Sequence, residues 1–259
     1  MGTDGDFVSR IILSEPGSAD VWTNQSIESF GRFFRMDWDT DSVCRRLLDR
    51  GPELEPYLKQ FQGLRVLRPS DPVETFFSFL CTSNNHISRI KQMVGYLGRL
   101  GESIPNDWGI RLYRFPTPER LSRVSELELR QCGFGYRSPN IPKAASMLVE
   151  RGSNWLESLK TVSYVEAHRE LCQFPGIGPK LADCIALFGL DHGEAVPVDT
   201  HIWQAFRRLY YPELAESPLT DARYRSTTAD FRLKFGELSG WAQQVLFYEN
   251  MMNWRERRG

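Results

Sequence analysis

The chain of 259 residues has little cysteine and none of it paired in sequence: Cys44, Cys81, Cys132, Cys172 and Cys184 are scattered, without a Cys-x-x-Cys pair. An odd, dispersed set argues against a disulfide framework and favours free thiols in a reducing compartment. The four histidines show no zinc-ligand spacing. No apolar run reaches the length of a membrane span, and the N-terminal MGTDGDF has no signal-peptide core. An excess of one charge is also missing, because 32 basic and 33 acidic residues leave a formal net charge of −1. That argues against a highly basic nucleic-acid-binding tail but leaves room for a local patch that binds phosphates. Repeats and low-complexity tracts are absent. The 41% of hydrophobic residues is enough for one sizeable or two small domains with a core of their own.

The chain reads as mainly α, with a short β-prone segment at 1–28 and a helical body at 29–259. Phe7 to Leu13 and Asp20 to Thr23 are β-prone and separated by Pro16-Gly17. Two short strands do not stand alone as a sheet, so they pack on the helical body or are part of a larger one. Val43, Leu47 and Leu48 mark an amphipathic turn or two. Asp71-Pro72 starts a helix with proline at its first position, and the apolar ETFFSFLC that follows is expected in the core. Thr117-Pro118 starts another helix, and Ser125 to Glu128 is a capping box. Pro142 to Arg151 reads as a helix closed by Gly152, and Ser163 with Glu166 caps a further one. Residues 211–235 read as a loop plus a short helix holding Phe231 and Phe235. A last helix covers 240–247.

Chemistry concentrates between Leu171 and Trp203. Phe174-Pro175-Gly176-Ile177-Gly178-Pro179 makes a tight turn between two helices. Its glycines leave backbone N–H groups bare at a helix N-terminus, a ready phosphate site. Leu181, Cys184, Ile185 and Phe188 form one apolar face of the second helix. Lys180 lies in its first turn, where the macrodipole disfavours a cation, and an amine there is the better nucleophile. Asp199 is the natural N-cap of a third helix, whose buried face is Ile202, Phe206 and Leu209. Taken alone, Asp199 reads as a cap and Lys180 as a solvated lysine. Together beside a glycine hairpin they point to a site.

The segments FPGIGPKLADC and VPVDTHIW resemble the helix-hairpin-helix plus Gly/Pro-Asp signature of base-excision DNA glycosylases, and most of all the 8-oxoguanine DNA glycosylase/lyases. The resemblance implies a two-lobed helical fold, with the motif at 165–210. It puts a catalytic lysine at Lys180 and a catalytic aspartate at Asp199. Asn84 and Arg89 in TSNNHISR, and Arg137 in FGYR, fall on positions that contact the orphaned cytosine, and Tyr136 falls on the intercalating tyrosine. Residue by residue, the bland alternatives are a cap and turn at 82–89 and a tyrosine packed at a helix corner. The terminal GWAQQVLF places Gln243 at the pairing edge of the flipped base and Phe247 on its face, with Cys184 opposite and Phe188 in the same pocket. Read without the resemblance, Phe247 and Cys184 are core and Gln243 is surface. Gly176, Gly178 and His201 are expected at a DNA phosphate. The family's hairpin carbonyls often hold a monovalent cation, here at 174–179.

The resemblance further implies a monomer acting on double-stranded DNA with a damaged base. It implies no redox cofactor or catalytic metal, and an intracellular location: nuclear in a eukaryote, cytoplasmic or nucleoid in a prokaryote. The four-cysteine iron–sulfur pattern of endonuclease III and adenine glycosylase relatives is missing. So is the Gly-Gln-x-Phe-Arg-Trp motif, whose glycine carbonyl accepts from the N7–H of 8-oxoguanine, and that contact is not carried over. Two rivals remain. A monofunctional alkylated-base glycosylase uses the aspartate with water and needs no lysine. A non-catalytic DNA-binding module keeps the hairpin for phosphates alone.

Overall fold

The computed structural model describes residues 10–15, 18–22, 27–105, 111–214 and 217–256. Strands β1 (Arg10–Glu15) and β2 (Ser18–Trp22) pair antiparallel, with Arg10 opposite Trp22 and an irregularity between Leu13 and Glu15. The ladder is displaced toward the Pro16-Gly17 connection relative to the expected strands. Residues 7–9 and 23 of those expected strands lie outside the described residues.

Helices α1 (Ile27–Phe33), α2 (Thr40–Arg50) and α3 (Glu55–Gln60) follow. Then come α4 (Pro72–Leu80) and α5 (Ile87–Gly98), and a two-residue ribbon of β3 (Ser103–Ile104) and β4 (Leu112–Tyr113). Short helices α6 (Pro118–Ser122) and α7 (Glu126–Gln131) precede α8 (Asn140–Arg151) and α9 (Trp155–Ser158). The hairpin helices are α10 (Tyr164–Leu171) and α11 (Pro179–Gly189), and α12 (Thr200–Tyr210), α13 (Asp221–Phe235) and α14 (Ser239–Glu256) complete the described chain.

Local chemistry sets many of these starts. Asp71 accepts from the Val73 amide at 2.8 Å with Pro72 at the first helical position of α4. Ser163 accepts from the Glu166 amide at 3.2 Å, and Ser125 from the Leu127 amide at 3.2 Å. Each such cap contributes about 1 kcal/mol.

Packing divides the helices into two groups. In the middle of the chain α4 lies against α11, α5, α8 and α9, α6 lies on α8, and α10 on α11. Phe76 and Phe77 of α4 are fully buried, and Phe174 of the hairpin packs edge-on to Phe76 at 5.1 Å. The second group joins the two ends of the chain: α14 contacts α12, α13 and α3, and α13 contacts α2. Its aromatic centre is Phe206 stacked on Phe231 at 4.1 Å, with Phe235 beside them. The segment from Leu190 to Asp199 crosses between the groups. Gly240 holds the crossing close, since a Cβ there would stand 2.3 Å from Leu187 Cδ1, and its amide donates to the Gly193 carbonyl at 2.8 Å.

One element is longer than its sequence indicates. The expected short helix around Phe231 and Phe235 is the 15-residue α13. Its polar residues spread round the helix, so apolar periodicity is nearly lost. Burial of Tyr224, Thr227, Thr228, Phe231 and Phe235 against neighbouring helices holds it instead.

Candidate active site

The α10–α11 turn is built as its residues predict. Gly176 has φ +83°, and a Cβ on it would stand 2.5 Å from Asn140 Nδ2. Gly178 is the N-cap of α11, with no side-chain cap bond and open space where a Cβ would be. The amides of the first α11 turn therefore face outward without a cap, as an anion site requires. The carbonyls of Cys172 and Ile177 accept no main-chain hydrogen bond among the described residues. Such oxygens suit a hard cation.

Lys180 lies half-buried in that first turn and lines a cavity of about 560 Å³ with His168, Asp183, Val198, Tyr224 and Arg225. Asp199 caps α12: its Oδ1 accepts from the Ile202 amide at 2.9 Å and its carbonyl from the Trp203 amide at 2.8 Å. The charges of Lys180 and Asp199 both act on the Cys184 thiol, one lowering and the other raising its pKa. The three residues thus share one electrostatic neighbourhood, although Asp199 comes from a different helix. Cys184 is 4% exposed, and burial pushes its thiol up to about 12.

Gln243 proves buried at 2% exposure rather than lying on the surface. Its Nε2 donates to the Pro197 carbonyl at 3.0 Å, and its Oε1 accepts from Gln244 Nε2 at 2.7 Å. It is therefore tied to the chain two residues before Asp199. Phe247 is half-buried on the same helix. Phe188 stacks on Phe79 of α4 at 5.7 Å and lines a different cavity of about 360 Å³ with Phe33, Leu67 and Thr75. Phe188 shares one face of α11 with Cys184, four residues earlier, and its ring packs on α4.

A second cluster forms where the end of α4 meets the loop after α7. Tyr136 is 57% exposed, and its hydroxyl donates to the Ser83 carbonyl at 2.9 Å. Arg137 lies with its guanidinium 4.3 Å from the Tyr136 ring centroid and donates to the carbonyls of Ser83 and Asn84. Arg89 Nη2 donates to the Gly133 carbonyl at 2.6 Å. Asn84 is exposed, in a left-handed conformation at φ +44° that asparagine tolerates best among residues with a Cβ. All four predicted residues come together, but Arg137 is only 4% exposed. In this state its guanidinium holds the loop instead of facing solvent. The His201 side chain lies outside the described residues.

The residue that local sequence patterns overlook is Asp183. It is fully buried in α11, where it accepts from the hydroxyls of Tyr164 and Tyr224. A lone acid inside the apolar run LADCIALF is its one sequence signal.

The model of the HhH-GPD superfamily of base excision DNA repair proteins matches residues 77–224, a span holding the hairpin, Lys180 and Asp199. The chain belongs to this superfamily. Among HhH-GPD proteins it is similar to the Arabidopsis thaliana N-glycosylase/DNA lyase OGG1, 43% identical over 201 residues, covering 76% of this chain and 55% of that protein. The Saccharomyces cerevisiae N-glycosylase/DNA lyase is 36% identical over 213 residues, covering 72% of this chain and 56% of its own. The chain thus spans about half the length of these curated relatives. The Clostridium acetobutylicum 8-oxoguanine glycosylase/lyase, solved with double-stranded DNA containing cytosine opposite 8-oxoG, superposes with a TM-score of 0.80. It is 30% identical and covers 95% of this chain and 82% of that one.

The thiols give a direct check on this HhH-GPD site. At pH 8 iodoacetamide is expected to modify exposed Cys132 first. Cys81 and Cys184, buried and pushed up to about 12, should stay unmodified until the protein is denatured. Only about one part in 10⁴ of such a thiol is thiolate at that pH. Peptide mapping after timed labelling reads the order.

Proposed function

We propose that the chain excises 8-oxoguanine from duplex DNA, preferentially opposite cytosine, and cleaves the strand through a Schiff base on Lys180. The observation that carries this reading is Lys180 in the first turn of an uncapped hairpin helix with Asp199 capping the next helix. Both lie in the span that matches the base-excision superfamily model. A stacked base cannot be attacked in the helix, so it must be turned out and its gap filled. Tyr136, exposed at a loop tip, is the wedge, and Asn84, Arg89 and Arg137 hold the partner base. Hairpin amides at Gly176 and Gly178, with His201, hold the backbone phosphate. A monovalent cation on the carbonyls of the 174–179 hairpin would offset phosphate charge there.

Cys184, Gln243 and Phe247 form the base pocket. The lone pair of Lys180 Nζ attacks the sugar C1′, and the base leaves with the electrons of the glycosidic bond. Asp199 stabilises the cationic sugar. After Nζ loses a proton, the C1′–O4′ bond opens, with O4′ taking a proton, to give an iminium at C1′; loss of a C2′ proton from it then expels the 3′ phosphate. A DNA substrate places the protein inside the cell, and one copy of the site suffices. The test is strand cleavage and borohydride trapping on duplexes with 8-oxoguanine opposite each of the four bases. Trapping strongest opposite cytosine supports the reading. Base release without an adduct favours the monofunctional route, and binding without base release favours the DNA-binding module.

The two hairpin glycines should separate fold from grip. Gly176→Ala must hold a side chain at positive φ against Asn140 and is expected to lose about 1–3 kcal/mol of stability, seen as a lower Tm. Gly178→Ala meets no neighbour. It should cost at most about 1 kcal/mol at the cap while weakening duplex affinity roughly tenfold, because its methyl group stands where a phosphate must approach. Fluorescence anisotropy with undamaged duplex reads the second effect.

A further inference from the structure

One buried carboxylate has no part in the steps above, although it lies three residues past Lys180 on the same helix. Asp183 is 0% exposed. Tyr164 of α10 donates to its Oδ1 at 2.5 Å, and Tyr224 of α13 donates to its Oδ2. His168 of α10 brings Nε2 to 3.8 Å from Oδ1 and to 3.2 Å from the carbonyl of Pro179, the first residue of α11. Arg232 of α13 donates to the Tyr164 hydroxyl at 3.1 Å. The Tyr224 hydroxyl also stands 3.5 Å from the Val196 carbonyl, in the crossing segment that leads to Asp199. These side chains line the cavity that Lys180 lines.

We propose that Asp183 is a positioning residue that, through Tyr224, sets the placement of Lys180 relative to Asp199. The inference rests on the reading that these two groups carry the reaction. Apolar contacts between α11 and its neighbours resist separation but allow small slides and rotations. Hydrogen bonds to two carboxylate oxygens from two different helices are directional and remove that freedom. Buried polar groups of this kind add specificity of arrangement more than stability. Burial, and next the Asp183 charge, push both tyrosine hydroxyls up, so they remain protonated donors. Burial likewise pushes the Asp183 carboxyl up, against the pull of His168, the two hydroxyls and Arg232. Displacement of a reacting atom by about 1 Å costs roughly 100-fold in rate, so this node acts on the rate constant.

The experiment compares Tyr224→Phe, Tyr164→Phe and Asp183→Asn with the unaltered protein in single-turnover borohydride trapping on an 8-oxoguanine:cytosine duplex. Rate constant and amplitude are read separately, alongside affinity for undamaged duplex. Tyr224→Phe keeps the ring and removes only the hydroxyl. Its rate constant should fall roughly 10- to 100-fold, with amplitude and duplex affinity unchanged. Asp183→Asn should fall at least as far. Tyr164→Phe should fall less, since Tyr164 has no bond to the crossing segment. A reduced amplitude with an unaltered rate constant in Tyr224→Phe means lost folded protein only and overturns the proposal. An unaltered rate constant at full amplitude overturns it too, while the proposed function stands. Absence of any adduct in the unaltered protein overturns both.

Discussion

Lys180→Gln is expected to abolish the borohydride-trapped adduct on an 8-oxoguanine:cytosine duplex and to slow base release by roughly 10³-fold or more, about 4 kcal/mol of barrier. The amide has no lone pair basic enough to attack C1′, and no other lysine lies in the hairpin. Folding should hardly change. Lys180 is half-buried and makes no hydrogen bond or ion pair among the described residues, so Tm should stay within what about 0.5 kcal/mol allows. Duplex binding should persist, because the hairpin amides that grip phosphate belong to the backbone. The result against the proposal is an adduct of undiminished yield, which would move the nucleophile to another amine. Base release that continues at the original rate without an adduct would favour a water-based mechanism.

Asp199→Asn is expected to lower the base-release rate about 10²- to 10³-fold while leaving the fold intact. Asparagine caps a helix as well as aspartate does, so the bond from the Ile202 amide to Asp199 Oδ1 has a direct substitute. The negative charge is lost, and with it the stabilisation of the cationic sugar. Asp199→Ala loses the cap as well and should add about 1 kcal/mol of destabilisation. Comparing the two variants by thermal melting and single-turnover kinetics separates cap from catalyst. Equal rates for Asp199→Asn and the unaltered protein would reduce Asp199 to a structural cap.

Residue patterns made some parts of this site legible and hid others. The hairpin could be read because Pro175 and Pro179 fix φ while Gly176 and Gly178 permit conformations closed to other residues, all within six residues. The start of α12 could be read because Asp199 and the Ile202 amide are neighbours along the chain. The Asn84–Arg89 and Tyr136–Arg137 segments could be named as a pair only through family resemblance, since the contacts joining them run from Ser83 to Tyr136. Burial of Gln243 is invisible locally: the helix that carries it is apolar around much of its circumference, and the Pro197 carbonyl that takes its amide is far away in sequence. The extent of α13 was hidden for the same reason.

Amino-acid order alone specified an uncapped glycine turn, an amine in the first turn of one helix and a carboxylate capping the next, because each depends on dihedral preferences and hydrogen bonds among near neighbours. Three-dimensional packing determined that Arg137 is withdrawn, that Phe188 packs on α4, and that Asp183 ties three segments together. Those outcomes depend on burial and directional bonds between residues such as Tyr224 and Asp183, which are 41 positions apart in the chain. No local periodicity encodes contacts of that range.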